Sequence, residues 1–115
     1  MKKLLSILAL LVITSVVSTA AENEQQVAYN DFMTKLKACT PATAELFDGK
    51  HEVLGFVDGN CAYNVEYKTN ITYSCKIPTP VAEMFGYQSI VSLRTGEKST
   101  FVESILNNRN YCQQR

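Results

Sequence analysis

The chain has no tryptophan, one histidine, five glycines, three prolines and no two cysteines close together in sequence. Each scarcity removes a class of chemistry. A serine or cysteine nucleophile needs a neighbouring base, His51 is the only imidazole present, and no Gly-x-Ser-x-Gly turn occurs. A four-thiolate zinc site or a thioredoxin-like redox site would use close pairs such as Cys-x-x-Cys. Phosphate-loop, calcium-loop and zinc-helix motifs are also missing. The sequence therefore offers no cofactor or metal site. Asp48, Glu52, Asp58, Glu66, Glu83, Glu97 and Glu103 are scattered over turns and polar faces, so no carboxylate pair is set up for acid–base work.

What is present begins with a leader. Met1-Lys2-Lys3 is basic, Leu4 to Val17 is mostly apolar, and Ser18-Thr19-Ala20-Ala21 supplies small residues. That order is a secretory signal peptide, bacterial in style, covering residues 1–21 and cleaved after Ala20 or Ala21. The apolar run is short for a membrane span, which needs roughly 20 residues. Cleavage after Ala21 leaves one domain, residues 22–115. Loss of Lys2 and Lys3 takes the basic residues from eleven to nine against eleven acidic ones. A slightly acidic domain has no electrostatic reason to seek nucleic acid or anionic lipid, so neither nucleic acid nor membrane is expected as a partner after cleavage.

Cys39, Cys61, Cys75 and Cys112 all lie in the mature part. An even count in a small exported domain reads as two disulfides. Their arrangement follows from the central stretch Asn60–Tyr67 and Ile71–Ile77, where each arm alternates with period two. Cys61, Tyr63, Val65 and Tyr67 share one face, and Ile71, Tyr73, Cys75 and Ile77 match them. A loop of Lys68-Thr69-Asn70, with Asn70 in the left-handed position, sets Tyr63 opposite Cys75 and Cys61 opposite Ile77. A loop centred on Lys68 would instead set the two cysteines face to face. Turn chemistry favours the first register, so Cys61 and Cys75 are expected to bond to Cys39 and Cys112, in either order.

The remaining elements pack around this hairpin. Tyr29, Phe32, Met33, Leu36 and Cys39 recur at helical spacing within a helix that starts near Glu22, has Lys35 and Lys37 at its end and is stopped by Thr40-Pro41. A short edge strand is placed at Thr43–Phe47. Asp48-Gly49 and Asp58-Gly59 are turn signals bounding a strand Lys50–Val57. A two-residue turn at Asp58-Gly59 pairs Leu54 with Tyr63, Phe56 with Cys61 and His51 with Glu66. Leu54 and Phe56 are then buried, while His51, Val53 and Val57 fall on the other face. Thr79 as cap and Pro80 at the first position open a helix burying Val81, Met84, Phe85 and Val91, with Gly96 as C-cap. Residues 88–94 also fit a strand. Thr100 to Glu103 has capping-box spacing and opens a last short helix burying Phe101 and Ile105. The fold class is α+β: an N-terminal helix, an antiparallel meander of three or four strands, and one or two C-terminal helices, stapled by two disulfides.

The segments Leu36-Lys37-Ala38-Cys39-Thr40-Pro41, Leu54-Gly55 with Asp58-Gly59-Asn60-Cys61, and Cys75-Lys76-Ile77-Pro78 resemble small exported bacterial proteins of unknown function. The resemblance implies an exported, disulfide-bonded α+β module and no activity.

In function, the sequence points to a periplasmic or secreted protein-interaction module that is not an enzyme. Its protein partner would lie in the envelope or outside the cell. An exported inhibitor or toxin-like effector comes next, and a small hydrolase resting on His51 last. Candidate interaction residues are His51, Val53 and Val57 on the second sheet face and Lys68, Thr69 and Asn70 at the hairpin tip. A bare edge Ile71–Ile77 would also suit a peptide. Export and pairing are checked together by intact mass. The exported protein should begin at Ala21 or Glu22 and take up no alkylating reagent under non-reducing, denaturing conditions, whereas one labelled thiol would disprove the two-bridge framework.

Overall fold

The structure, a computed structural model, describes residues 24–115. The expected leader and its cleavage site lie outside these residues. Helix α1 occupies residues 24–37 and buries Tyr29, Phe32, Met33 and Leu36 on one side, as their spacing predicts. It ends at Lys37, two residues short of Thr40-Pro41. Cys39 takes a left-handed φ of 52°, its N–H donates to Leu36 O (3.0 Å), and the Thr40 N–H donates to Lys35 O (2.8 Å). That pair of bonds is a Schellman ending, a place where glycine is usual. Here a cysteine fills it and is tied to the sheet by a disulfide to Cys61.

The sheet is a five-stranded antiparallel meander in sequence order: β1 Ala42–Leu46, β2 Gly49–Val57, β3 Asn60–Tyr67, β4 Thr72–Pro78 and β5 Cys112–Gln114. Asp58 and Gly59 form the β2–β3 turn with φ of 53° and 80°, the positive pair that a tight hairpin requires. In the next hairpin Asn70 takes φ 68°, and Tyr63 faces Cys75 while Cys61 faces Ile77, as turn chemistry predicts. The cysteines bond elsewhere: Cys39 to Cys61 and Cys75 to Cys112. The second bridge fastens β5 along β4, so the expected bare edge Ile71–Ile77 is closed. The β1–β2 turn sits one residue earlier than expected, at Phe47-Asp48, with Gly49 already in β2. Gly49 has no room for a side chain, because a Cβ would lie 2.2 Å from Glu66 O.

The largest departure is in β2. Phe56 does pair with Cys61, but Val53 rather than Leu54 lies opposite Tyr63, and the register shifts between Val53 and Gly55. Leu54 is the extra residue of a β-bulge, and Gly55 takes φ 107° there, a conformation side chains other than glycine rarely adopt. Because side chains alternate, one added residue exchanges the faces of everything before it. His51 and Val53 are therefore buried, and Leu54 is half-exposed. Phe56 stays exposed despite its partner, and Val57 is also solvent-facing at that end of the sheet. His51 lies opposite Val65, and Glu66 opposite Lys50.

Helix α2 runs Thr79–Thr95, so residues 88–94 are helical, and Gly96 caps it with φ 75°. Its buried stripe is Ala82, Phe85, Gly86 and Ser89, with Met84 exposed, in place of the expected Val81, Met84, Phe85 and Val91. Gly86 explains the rotation, since a Cβ there would meet Met33 O at 2.6 Å and Lys37 Cγ at 2.5 Å. The two helices touch at that glycine. Pro78 rather than Thr79 occupies the cap position. Helix α3, Thr100–Leu106, is capped by Ser99 rather than Thr100: Ser99 Oγ accepts from the Val102 N–H (3.2 Å).

The helices gather on the sheet face that carries Tyr63. Phe32 and Phe85 both pack on its ring, and Ile105 and Leu106 join the same core. The opposite face presents Lys50, Glu66, Lys76 and Gln113 to solvent. The open face keeps an apolar part, but it is made by exposed Leu54 and Phe56 rather than by Val53, which the bulge moves inward. Among the described residues no helix is long and apolar enough to cross a membrane. Urea denaturation tests the bulge. Val53→Ala should cost roughly 1–3 kcal/mol as a core truncation, and Leu54→Ala only about 0.5 kcal/mol as a surface change. The unbulged register predicts the reverse order.

Candidate functional site

The only histidine lies in the core, 1% exposed, and both its ring nitrogens are engaged. Nδ1 is 2.6 Å from the Tyr63 hydroxyl and Nε2 is 2.8 Å from Asp48 Oδ1. Tyr63 is wholly buried, and among the described residues its hydroxyl has no hydrogen-bond partner but His51. Its O–H must therefore donate to Nδ1, because a buried donor left unpaired costs about 1–3 kcal/mol. The imidazole proton then sits on Nε2 and is donated to Asp48. A neutral ring in this tautomer satisfies all three groups, and no buried side-chain polar atom among the described residues is left without a partner.

Rings enclose this chain of hydrogen bonds. Phe32 meets His51 edge-on at 5.4 Å between centroids, and Tyr67 stands perpendicular to it at 6.1 Å. Tyr67 in turn packs on Tyr73 at 6.1 Å and 80°. Burial pushes the phenols of Tyr29, Tyr63 and Tyr67 upward, Tyr29 to about 12, and the negative charge of Asp48 adds to the rise in all three. For Tyr29 a hydrogen bond with Ser89 works in the opposite direction.

Asp48 connects the buried histidine to the surface. A cleft of about 500 Å³ opens beside it, with Asp48, Tyr67 and Tyr73 on the sheet side, Ser89 from α2, Val102 from α3, and Thr69 at the hairpin tip. The volume is in the range of small-ligand sites, roughly 300–1,000 Å³. The two hairpin tips that form one wall are joined to each other, since the Lys68 N–H donates to Asp48 O at 3.0 Å. A second depression of about 620 Å³ lies on the other side of Tyr67, lined by Gly49, Lys50, Glu66, Lys68 and Asn70. Its walls are exposed strand side chains, and none of the buried polar groups reaches it.

The expected interaction residues separate accordingly. Thr69 borders the cleft, Lys68 and Asn70 border the neighbouring depression, and His51 stands behind Asp48. Val53 is in the core and Val57 lies at the opposite end of β2. The expected His51–Glu66 pair is replaced by His51–Asp48. Two signals pointed that way: Gly55 in the middle of a strand, which marks a bulge, and Asp48 three residues before His51 across a turn. With both nitrogens bonded inside the protein and Tyr63 shut off from solvent, His51 has no atom to offer a substrate. Its geometry is that of a support for Asp48.

Compared with known proteins, the chain gives no match to any family model, to any curated protein or to any solved structure.

The raised phenols set an alkaline limit. A tyrosine whose native value lies above the usual ~10 keeps its proton in the folded state while the unfolded chain loses it, so stability is whole below pH ~10 and falls as pH climbs past it. Tyrosinate absorbance at 295 nm from Tyr29, Tyr63 and Tyr67 should therefore appear only as the domain unfolds in alkali. Tyr63→Phe, which leaves Nδ1 without a donor, should lower stability by about 1–3 kcal/mol in urea.

Proposed function

We propose that the chain is an exported protein-interaction module of the bacterial periplasm or secreted space, engaging its protein partner at the end of the sheet where the two hairpin tips border the cleft. One observation carries this reading. A cleft of mixed polar and apolar lining is held from behind by a buried Tyr63–His51–Asp48 chain and from the side by linked turns. Buried polar networks are costly unless satisfied, and here the whole network serves to fix one carboxylate at a surface opening. Two disulfides within a chain of this size fit an oxidising compartment. The closed β4 edge argues against recognition by strand addition there.

A second reading is favoured by the tip itself. Lys68-Thr69-Asn70 is exposed and stiffened by the Asn70 N–H to Tyr67 O bond (2.9 Å) and by the link to Asp48. A rigid projecting loop of this kind suits an inhibitor that enters a target's cleft.

Both readings place the contact at the same end of the molecule. A photo-crosslinking amino acid at position 69, expressed in intact cells, should capture one protein of the envelope or exterior, and the same reagent at position 52 on the outer face should not. Equal capture from both positions, or none from 69, would reject this surface. If the captured protein is an enzyme whose activity falls on binding, the inhibitor reading replaces the module.

A further inference from the structure

The cleft has a charge that the protein does not neutralise. Asp48 is 27% exposed at its side chain, and its partner His51, as the neutral Nε2–H tautomer, supplies a hydrogen bond but no positive charge. Among the described residues no lysine or arginine pairs with Asp48; the only such ion pair is Lys35–Asp31, on the outer side of α1. Lys98 on the cleft's rim is exposed, and Glu103, also exposed, lines the same opening, so the lining as a whole is negative.

The rings beside that carboxylate are arranged for the same kind of guest. Tyr67 and Tyr73 are half-buried, line the cleft and stand at 80° to each other with centroids 6.1 Å apart, forming two walls of a corner. Aromatic faces attract a cation within about 6 Å of the centroid, more strongly where water is partly excluded. Asp48 reaches the Tyr67 ring electrostatically, since its charge helps raise that phenol. An anionic guest would meet the carboxylate without compensation, and a purely apolar one would bury it unpaired.

We propose that the cleft is a receptor for a cationic side chain of a partner protein, a lysine ammonium or an arginine guanidinium held by Asp48 in the corner that Tyr67 and Tyr73 form. The inference rests on the reading of this end of the domain as the partner-binding surface and adds what is recognised there. Free cationic amino-acid derivatives should enter it weakly but selectively.

The test titrates N-acetyl-lysine methylamide and N-acetyl-arginine methylamide into the ¹⁵N-labelled oxidised protein, with the norleucine and citrulline analogues as neutral matches. Saturable shifts should centre on the amides of Asp48, Tyr67, Thr69 and Tyr73 for a cationic probe, with its neutral match at least about tenfold weaker. Asp48→Asn keeps an acceptor for the His51 Nε2–H and should weaken the cation about tenfold while leaving shifts elsewhere unchanged. Tyr73→Leu, which removes one wall, should weaken it several-fold. Equal affinity for charged and neutral probes, shifts centred outside the cleft, or no saturation up to about 50 mM would overturn the proposal, and the first comparison needs no variant to fold. A partner captured from position 69 without cation selectivity would overturn this inference alone. Cation selectivity without capture would overturn the partner reading alone.

Discussion

The extra residue at Leu54 governs most of what the molecule presents. With Gly55 free to take a positive φ, β2 gains a bulge, and the strand before it turns its other face to the helices. His51 and Val53 enter the core while Leu54 remains half-exposed. A histidine placed there needs partners for both nitrogens. Tyr63 on the neighbouring strand and Asp48 in the preceding turn provide them. Without the bulge His51 would stand on the solvent face, Asp48 would lose its support, and the cleft would have no fixed charge.

The disulfides act on a different level. Cys39–Cys61 holds the end of α1 on β3, and Cys75–Cys112 holds β5 on β4. With sequence separations of 22 and 37 residues, each restricts the unfolded chain by an amount equivalent to roughly 3–4 kcal/mol on the chain-entropy model. For a domain of this size that is comparable to a large part of the net stability, commonly about 5–15 kcal/mol. The second bridge has a further consequence, because a three-residue strand could not keep an edge covered unaided. The helices share one side of the sheet, with Gly86 letting α2 lie directly on the backbone of α1. Their ends, with the hairpin tips, leave the cleft as the one opening toward which the buried polar groups are aligned.

Much of this could be read from residue order. The stripe Tyr29, Phe32, Met33, Leu36 and Cys39 defined a helical face. The alternation in β3 and β4, with Asn70 suited to a left-handed turn, determined the hairpin register and therefore kept Cys61 and Cys75 apart. The errors have a common origin. At β2, α2 and both helix caps, the structure settles one residue away from the placement that the local pattern favours. A contact with a distant backbone decides the placement at two positions: Glu66 O at Gly49 and Met33 O at Gly86.

The sequence by itself determined the α+β class, the disulfide framework up to its pairing, the hairpin register and the absence of recognisable catalytic or metal motifs. These depend on periodicity, turn chemistry and residue inventory, all of which are local properties of the chain. Only the tertiary structure decided that Cys39 joins Cys61, that His51 is buried, and that Asp48 rather than Glu66 is its partner. Those outcomes depend on which face of β2 meets the helices, and a single bulged residue reverses that face without altering the local pattern on either side of it.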